Sequence, residues 1–328
     1  MKLSVIVVSW NVVELLRRCL ETLSADLASI DAEVFVVDNA SADSSSQMVA
    51  AEFPQFRLIA NDANLGFAVA NNQALKEAHS QYVLLLNPDT EVIPGAIPQL
   101  IQFLDQNPEA AIIAPQLLNS DGSVQRSCRE FPTFIGMLYE LLGLSKLFPA
   151  NSVFGRYKML EFDHSYRRQV DQPEGACLLM RASVIDSVGM LDEGFFMLFE
   201  EVDWCYRIKK AGWQIWFTPE AKVIHHYGQS IKQVKARMIL SSHRGLFRYW
   251  QKHLCQGRWY LEGVVYAGLM MLAWMRIASH TVKASLIGTH TEPGRIVPGK
   301  ADKERLSATG SPPNETTAAT KTSSVASK

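Results

Sequence analysis

Short apolar runs alternate with amphipathic stretches through the first 115 residues. Runs at Leu3–Val8, Glu33–Val37, Arg57–Ala60, Tyr82–Leu86 and Ala111–Ala114 have the length of strands. Between them Leu15, Leu16, Cys19, Leu20 and Leu23 share one helical face, and similar spacing predicts helices near 43–53, 68–79 and 95–106. Strands apolar on both faces and separated by helices predict the parallel sheet of a doubly wound α/β domain. Ligands of such sheets sit beyond the carboxyl ends of the strands. Polar residues follow each of these ends: Ser9-Trp10-Asn11, Asp38-Asn39-Ala40-Ser41, Asn61 to Phe67, and Asn87-Pro88-Asp89-Thr90.

Residues 120–172 are less regular, with an apolar helix expected near 133–147. From Gly175 the pattern resumes with a strand over Ala176–Arg181, a helix, and a loop at Asp192–Phe199. A charged helix from Glu200 to about Ala211 follows, then strands near Trp213–Phe217 and Lys222–His226. Residues 231–256 have helical spacing, 258–278 are strongly apolar, and 291–328 are rich in Ser, Thr, Ala, Pro and Lys. The pattern predicts a main domain over 1–230, basic and apolar helices over 231–290, and a disordered tail over 291–328.

Composition narrows the classes. Of 328 residues 48% are apolar, enough for a substantial core without covalent staples. Thirty-two Lys and Arg against 33 Asp and Glu leave a net charge of −1, which argues against binding nucleic acid through bulk charge. The five cysteines are scattered and form no C-x-x-C, so neither a disulfide framework nor a structural zinc site is expected. Polar and basic residues from Asn11 to Arg18 interrupt any targeting segment at the N-terminus. There is no G-x-G-x-x-G after the first strand and no P-loop, which removes the main support for dinucleotide or P-loop binding. A nucleotidyltransferase would want a glycine-rich, basic loop where Ser9-Trp10-Asn11 stands.

Seven stretches, in order and at sensible spacing over roughly residues 1–255, carry a resemblance. They are V-S-W-N (8–11), V-D-N-A-S (37–41), N-L-G-F-A-V-A-N-N (64–72), L-N-P-D-T (86–90), E-G-A-C-L-L-M-R (174–181), F-F-M-L-F-E-E-V-D-W-C-Y-R (195–207) and P-E-A-K-V-I-H-H-Y-G-Q-S (219–230). Together they resemble the inverting, nucleotide-sugar-dependent glycosyltransferases of family 2, which have the GT-A fold. Within that family the chain is most similar to rhamnosyltransferase-type enzymes of bacterial cell-surface polysaccharide synthesis. The resemblance implies a mostly parallel sheet with a Rossmann-like nucleotide-binding half and an acceptor half.

It also implies roles. Asp38 would accept the imide N–H of a uracil or thymine ring, although Asp-Asn-Ala-Ser is equally good turn chemistry. Ser9 and Asn11 would shape the same pocket; Asn11 serves equally as cap of a helix from Val12. Gly66, with Asn64 before it, would let backbone approach the donor closely; the alternative is a helix starting at Gly66 with Asn71 and Asn72 solvated. Asn87-Pro88-Asp89 occupies the place of the family's D-x-D metal motif, with Asn87 at the donor side and Asp89 as its one carboxylate. Asp89 and His225 would hold Mg²⁺ or Mn²⁺, while His226, adjacent on a strand, points to the other face.

The family places its catalytic base at the second acid of an E-D pair, and Glu201 stands there with one extra methylene. Asp203 is the fallback, although pairing with Arg207 one turn on is the structural reading of that residue. The expected reaction is transfer of a sugar from a dTDP- or UDP-linked donor to a glycan or lipid-linked acceptor, with inversion. A galactofuranosyl- or N-acetylglucosaminyltransferase of the same fold is the alternative, and a non-catalytic sugar-nucleotide-binding protein a more distant one. Seven basic residues and no acid lie between Lys232 and Arg258, ahead of an uninterrupted apolar run of only 13 residues, Gly263–Met275. That pattern predicts a helix lying in a membrane surface rather than spanning it, with the enzyme peripheral on the cytoplasmic face of the inner membrane. A homo-oligomer is compatible with this organisation.

Overall fold

The computed structural model describes residues 1–148, 151–226 and 234–287. The tail expected over 291–328, Lys232, and the end of the last motif from Tyr227 to Ser230 lie outside the described residues.

The strands are β1 (Leu3–Ser9), β2 (Ala32–Asp38), β3 (Arg57–Ala60), β4 (Tyr82–Leu86), β5 (Thr90–Val92), β6 (Ala110–Leu118), β7 (Val124–Gln125), β8 (Cys128–Arg129), β9 (Arg168–Gln169), β10 (Gln172–Pro173), β11 (Cys177–Arg181) and β12 (Gln214–His225). The helices are α1 (Val13–Asp26), α2 (Ser45–Glu52), α3 (Phe67–Leu75), α4 (Ala96–Gln106), α5 (Phe134–Leu141), α6 (Leu144–Leu147), α7 (Ser183–Val188), α8 (Glu200–Lys210), α9 (Lys235–Tyr249) and α10 (Glu262–Ile287).

The main sheet has the order β3-β2-β1-β4-β11-β6-β12-β5. From β3 to β4 neighbours run parallel, as the doubly wound pattern predicts. β11 enters from the opposite end and lies antiparallel between β4 and β6, so the sheet is mixed. Two apolar cores cover its faces. One gathers Leu16, Leu20 and Leu23 of α1 with Leu100 and Leu104 of α4; the other places Trp204 and Ile208 of α8 against Ile6, Phe35 and Phe217. The all-apolar interior of β1, buried along its whole length, is what two covered faces require.

Helix ends are closed from neighbouring loops. The Val13 N–H at the start of α1 donates to Asp43 Oδ2 at 2.8 Å. Asn11 is therefore no cap; it takes a left-handed backbone (φ 53°) and its Oδ1 accepts the Ala42 N–H at 2.7 Å. Asp26 at the end of α1 accepts the Ile97 N–H of α4 at 2.8 Å. The two strands expected near 213–217 and 222–226 form the single β12, whose register shifts between Thr218 and Lys222. Pro219 cannot donate to the ladder, which accounts for the break in pairing. The helix expected over 133–147 bends at Gly143 (φ 73°) into α5 and α6.

Asn72, expected to be solvated if α3 starts at Gly66, is buried. Its amide nitrogen donates to the Leu191 carbonyl at 2.8 Å and its Oδ1 accepts the Leu191 N–H at 3.2 Å. Asn71 is buried as well and donates to the Phe67 carbonyl at 2.9 Å. α10 is continuous over 26 residues, and Trp259–Thr281 is long and apolar enough to cross a membrane. The shortness of the 13-residue run therefore gives no reason to prefer a helix lying in the surface.

Candidate active site

The carboxyl ends of β1, β2 and β4 open onto a cleft enclosing about 1110 Å³, its open mouth included. Ser9, Asn64, Gly66, Asn87, Asp89, Glu201 and His225 line it, as expected of site residues. Among the described residues that were expected at the site, Asn11, Asp38 and Asp203 are not part of the lining.

The donor-side wall is a hydrogen-bonded loop frame. Asn39, whose part in this frame the sequence did not single out, donates through Nδ2 to Asn64 Oδ1 and the Gly66 carbonyl, both at 3.2 Å. Its Oδ1 accepts the Leu65 N–H at 3.0 Å. Gly66 starts α3 with φ 88°, and a Cβ there would collide with the Phe196 carbonyl. The close approach that glycine permits is thus to Phe196, whose carbonyl accepts the Phe67 N–H at 2.7 Å. Asp38 sits one strand over from Ser9, in register with it. Asp38 Oδ2 accepts the Ser41 N–H at 3.1 Å, the turn bond expected of it, while its buried Oδ1 has no hydrogen-bond partner. The buried Ser9 hydroxyl has none either.

On the sheet side, Asp89 and His225 meet across β5 and β12, with Oδ1 and Nε2 3.4 Å apart and both residues buried. Gln125 donates through Nε2 to Asn119 Oδ1, so its Oε1 faces His225 Nδ1 at 2.8 Å. With the proton on Nδ1, donated to Gln125, Nε2 would turn its lone pair to the Asp89 side. A carboxylate oxygen and an imidazole lone pair turned toward one another suit a shared cation. Adjacent donors on an octahedral ion at ~2.1 Å lie about 3.0 Å apart, within a few tenths of the separation here. Among the described residues no group of three His, Cys, Asp or Glu could hold an ion by itself. The pair fits a divalent cation whose remaining ligands come from outside the protein. His226 points away and meets Glu91 at 2.7 Å, as strand alternation predicts.

Opposite lies the N-terminus of α8. Leu198 and Phe199, just before it, both take left-handed backbone (φ 73° and 77°), an arrangement that costs energy for residues with a Cβ. Gly245 of α9 secures this turn: a Cβ there would stand 2.7 Å from the Leu198 carbonyl. The turn delivers Glu200 and Glu201 to the cleft, each with an Oε2 that is buried and without a hydrogen-bond partner. Burial pushes Glu201 up to about 7, with Glu174 adding like charge, and pushes Glu200 well above its ordinary value. Glu174, another residue lining the cleft, is raised by burial too. The cleft therefore gathers four carboxylates (Asp89, Glu174, Glu200, Glu201) against His225 and Arg237, whose guanidinium stacks 4.5 Å from the Phe196 ring centre. Sequence reasoning assigned no site role to Glu174 or Arg237. Glu174 stood within a quoted motif, and Arg237 only within the basic run before the apolar segment.

Asp203, the fallback base, faces the other way. It is fully buried, and its carboxylate is held by Arg207 Nε at 2.9 Å, Lys252 Nζ at 2.6 Å and His253 Nε2 at 2.7 Å. Those partners hold its pKa below the ordinary value against the upward push of burial. A carboxylate so engaged ties α8 to the turn that follows α9, Trp250–Leu254, and is a poor proton acceptor.

Comparison with known proteins bears on this geometry. The family model described as glycosyl transferase family 2 matches residues 4–184. N-acetylglucosaminyl-diphospho-decaprenol L-rhamnosyltransferase of Mycobacterium tuberculosis (strain ATCC 25618 / H37Rv) is 30% identical over 281 residues, spanning 80% of this chain and 89% of that protein. Rhamnosyltransferase WbbL of Escherichia coli (strain K12) is 24% identical over 194 residues, 56% of this chain and 69% of that one. Among solved structures, GalNAc-T7 with UDP, GalNAc and Mn²⁺ superposes with a TM-score of 0.50 at 14% identity, covering 69% of this chain and 44% of that one, a likeness of fold alone.

Proposed function

The chain belongs to glycosyl transferase family 2 and is a glycosyltransferase, and from that premise we propose that it moves rhamnose from a dTDP- or UDP-linked donor to a lipid-diphosphate-linked glycan acceptor, with inversion. Cell-surface polysaccharide synthesis is the corresponding setting. The observation that carries the reading is the buried, unpartnered Oε2 of Glu201, on the same cleft as the Asp89–His225 pair. The printed names of the rhamnosyltransferase relatives support the sugar and the acceptor class.

In the reaction the acceptor oxygen attacks the anomeric carbon as its proton passes to Glu201, and the bond from that carbon to the diphosphate oxygen breaks. A single in-line displacement inverts the centre. Glu201, raised to about 7, is matched to accept a proton near neutral pH, a contribution of roughly 10²–10⁴-fold. Asp38 is in register with Ser9 of the cleft wall but behind the lining itself. Its unpartnered Oδ1 would receive the base N–H once the base enters beside Ser9, and the Asn39–Asn64–Gly66 frame holds the adjoining loop. Asp89 and His225 would hold Mg²⁺ or Mn²⁺, which supplies positive charge beside the diphosphate when bound. Arg237 adds a second positive charge in a cleft whose four carboxylates would otherwise repel the donor. The same reading places the enzyme at the cytoplasmic face of the inner membrane, held there by α10.

A thermal-shift panel tests this. dTDP or UDP should raise the melting temperature by several degrees at saturating concentration, more with Mn²⁺ than without, and ADP and GDP should not. Equal shifts from all four, or none, would overturn the base assignment. Asp89→Asn should abolish transfer in a folded protein and His225→Ala weaken it less. Turnover with dTDP-rhamnose, against UDP-galactofuranose and UDP-N-acetylglucosamine, decides the sugar.

A further inference from the structure

The α5–α6 segment is unusual for a surface in water. Phe134, Leu138 and Leu142 stand four residues apart along one side, with Ile135 beside them, and Leu147 and Phe148 follow past the bend at Gly143. All six are exposed, Leu147 at 69%. The segment's one acid, Glu140, lies off this face and pairs with Lys158 at 2.5 Å. The inner side is anchored: Met137 packs on the cluster of Phe195, Phe199, Leu246 and Tyr249.

Leu269 of α10 closes that same cluster, with Val265 and Met270 against it. α10 buries Leu269 and Ala273 and leaves Val264, Met271, Trp274 and Met275 exposed. Two apolar outer faces thus belong to elements rooted in one core. Between them in sequence, residues 234–258 hold basic groups and no acid; Lys235, Arg244 and Arg258 are exposed. An apolar face rooted in the same core as a helix of membrane-crossing length, with exposed cations on the same part of the chain, matches an anionic bilayer rather than a polar-rimmed protein partner.

We propose that α5–α6 is a second membrane-contacting element, its outer face entering the headgroup–acyl boundary of the leaflet beside α10. This rests on the reading that α10 engages a membrane. A single helix leaves the body free to tilt; a second contact on the same core fixes its attitude. The cluster includes Phe199 and Val202, which flank Glu201, so the fixed attitude extends to the cleft.

The test uses the full chain with one cysteine introduced at Leu142, at Trp274 or at Glu21 as control, labelled with an environment-sensitive dye; the native cysteines are all buried. Vesicles of phosphatidylcholine with a minority of phosphatidylglycerol carry a quencher on the acyl chain. Dyes at 142 and 274 should both shift to the blue and be quenched, and the dye at 21 should not respond. Quenching at 274 with none at 142 overturns this proposal while the α10 reading stands. Quenching at neither position overturns both. A blue shift at 142 that needs no vesicles and grows with protein concentration identifies a second copy as the occupant and also overturns it. Phe134→Ser with Leu138→Ser and Leu142→Ser removes only exposed side chains. It should lower vesicle partitioning by roughly tenfold or more, with turnover on a water-soluble acceptor unchanged.

Discussion

Two sides of one helix turn put the same chemistry to opposite uses. Glu201 and Asp203 stand two residues apart in α8, Asp203 fully buried and Glu201 half-buried with its Oε2 shut off from solvent. Asp203 has Arg207, Lys252 and His253 within 2.9 Å and is held below its ordinary pKa. Glu201 has an oxygen with no partner and is raised to about 7. Desolvation pushes both carboxyls upward, so partners decide the outcome. A carboxylate with its partners supplied is a strut, and one denied them is a base in waiting. The strained Leu198–Phe199 turn sets which residue faces which way, and Gly245 of α9 allows that turn to be held.

The sharpest way to break this contrast is to neutralise each acid without changing its shape. Glu201→Gln should cut turnover by roughly 10²–10⁴-fold while nucleotide binding and melting temperature persist, measured by initial rates alongside thermal shift. Glu201→Asp should keep part of the activity. If Asp203→Asn erases turnover with no change in melting, and Glu201→Gln is mild, the assignment is reversed.

The converse loss belongs to Asp203. Asp203→Ala takes the carboxylate away from Arg207 and His253, while Lys252 keeps its ion pair with Asp192 at 2.6 Å. A fully buried pair broken this way costs about 3–5 kcal/mol; the partly exposed Arg207 and Lys252 can rehydrate, so about 1–3 kcal/mol is expected here. Denaturant titration should show that loss, a drop of several degrees in melting temperature. Unchanged stability would remove the strut.

The alternation of apolar and polar positions made the nucleotide-side half of the fold legible, because strands buried on both faces leave a local signature. Asp89, Glu201 and His225 were legible as types in ordered motifs, and the structure brings them to one cleft. Asn72 was not: its partner Leu191 is 119 residues away, and a buried asparagine looks in sequence like a solvated one. Asn39 and Arg237 act through loops and a helix that only the folded chain brings together. Gly66 was legible as a point of close approach, but the neighbour it admits, the Phe196 carbonyl, was not. The face of α8 on which each acid falls depends on a backbone turn with two left-handed residues, which no side-chain periodicity records.

The smallest expected effect sharpens the contrast through pH. Glu201 has a folded pKa of about 7, above the ordinary 4.5, so the folded protein holds its proton more tightly than the unfolded chain does. Its contribution to stability is therefore complete below about pH 4.5 and is lost as pH rises through about 7. Glu200 and Glu174, raised by the same burial, act with the same sign. Asp203, lowered, has the opposite sign: its contribution is present above its ordinary 3.8 and is lost only as pH falls through the lower folded value. Between about pH 6 and about pH 8 Asp203 stays charged while Glu201 titrates. Over that window turnover should rise, close to tenfold per unit below 7, while the melting temperature falls by a few degrees. In Glu201→Gln the fall should shrink, because one titrating group is gone and Glu200 no longer has a like charge beside it. The difference between wild type and variant reports Glu201 together with its like-charged neighbour Glu200 and cancels groups remote from the cleft. A melting profile with the same slope in both proteins would mean that Glu201 is charged throughout, and the division of labour along α8 would lose its physical basis.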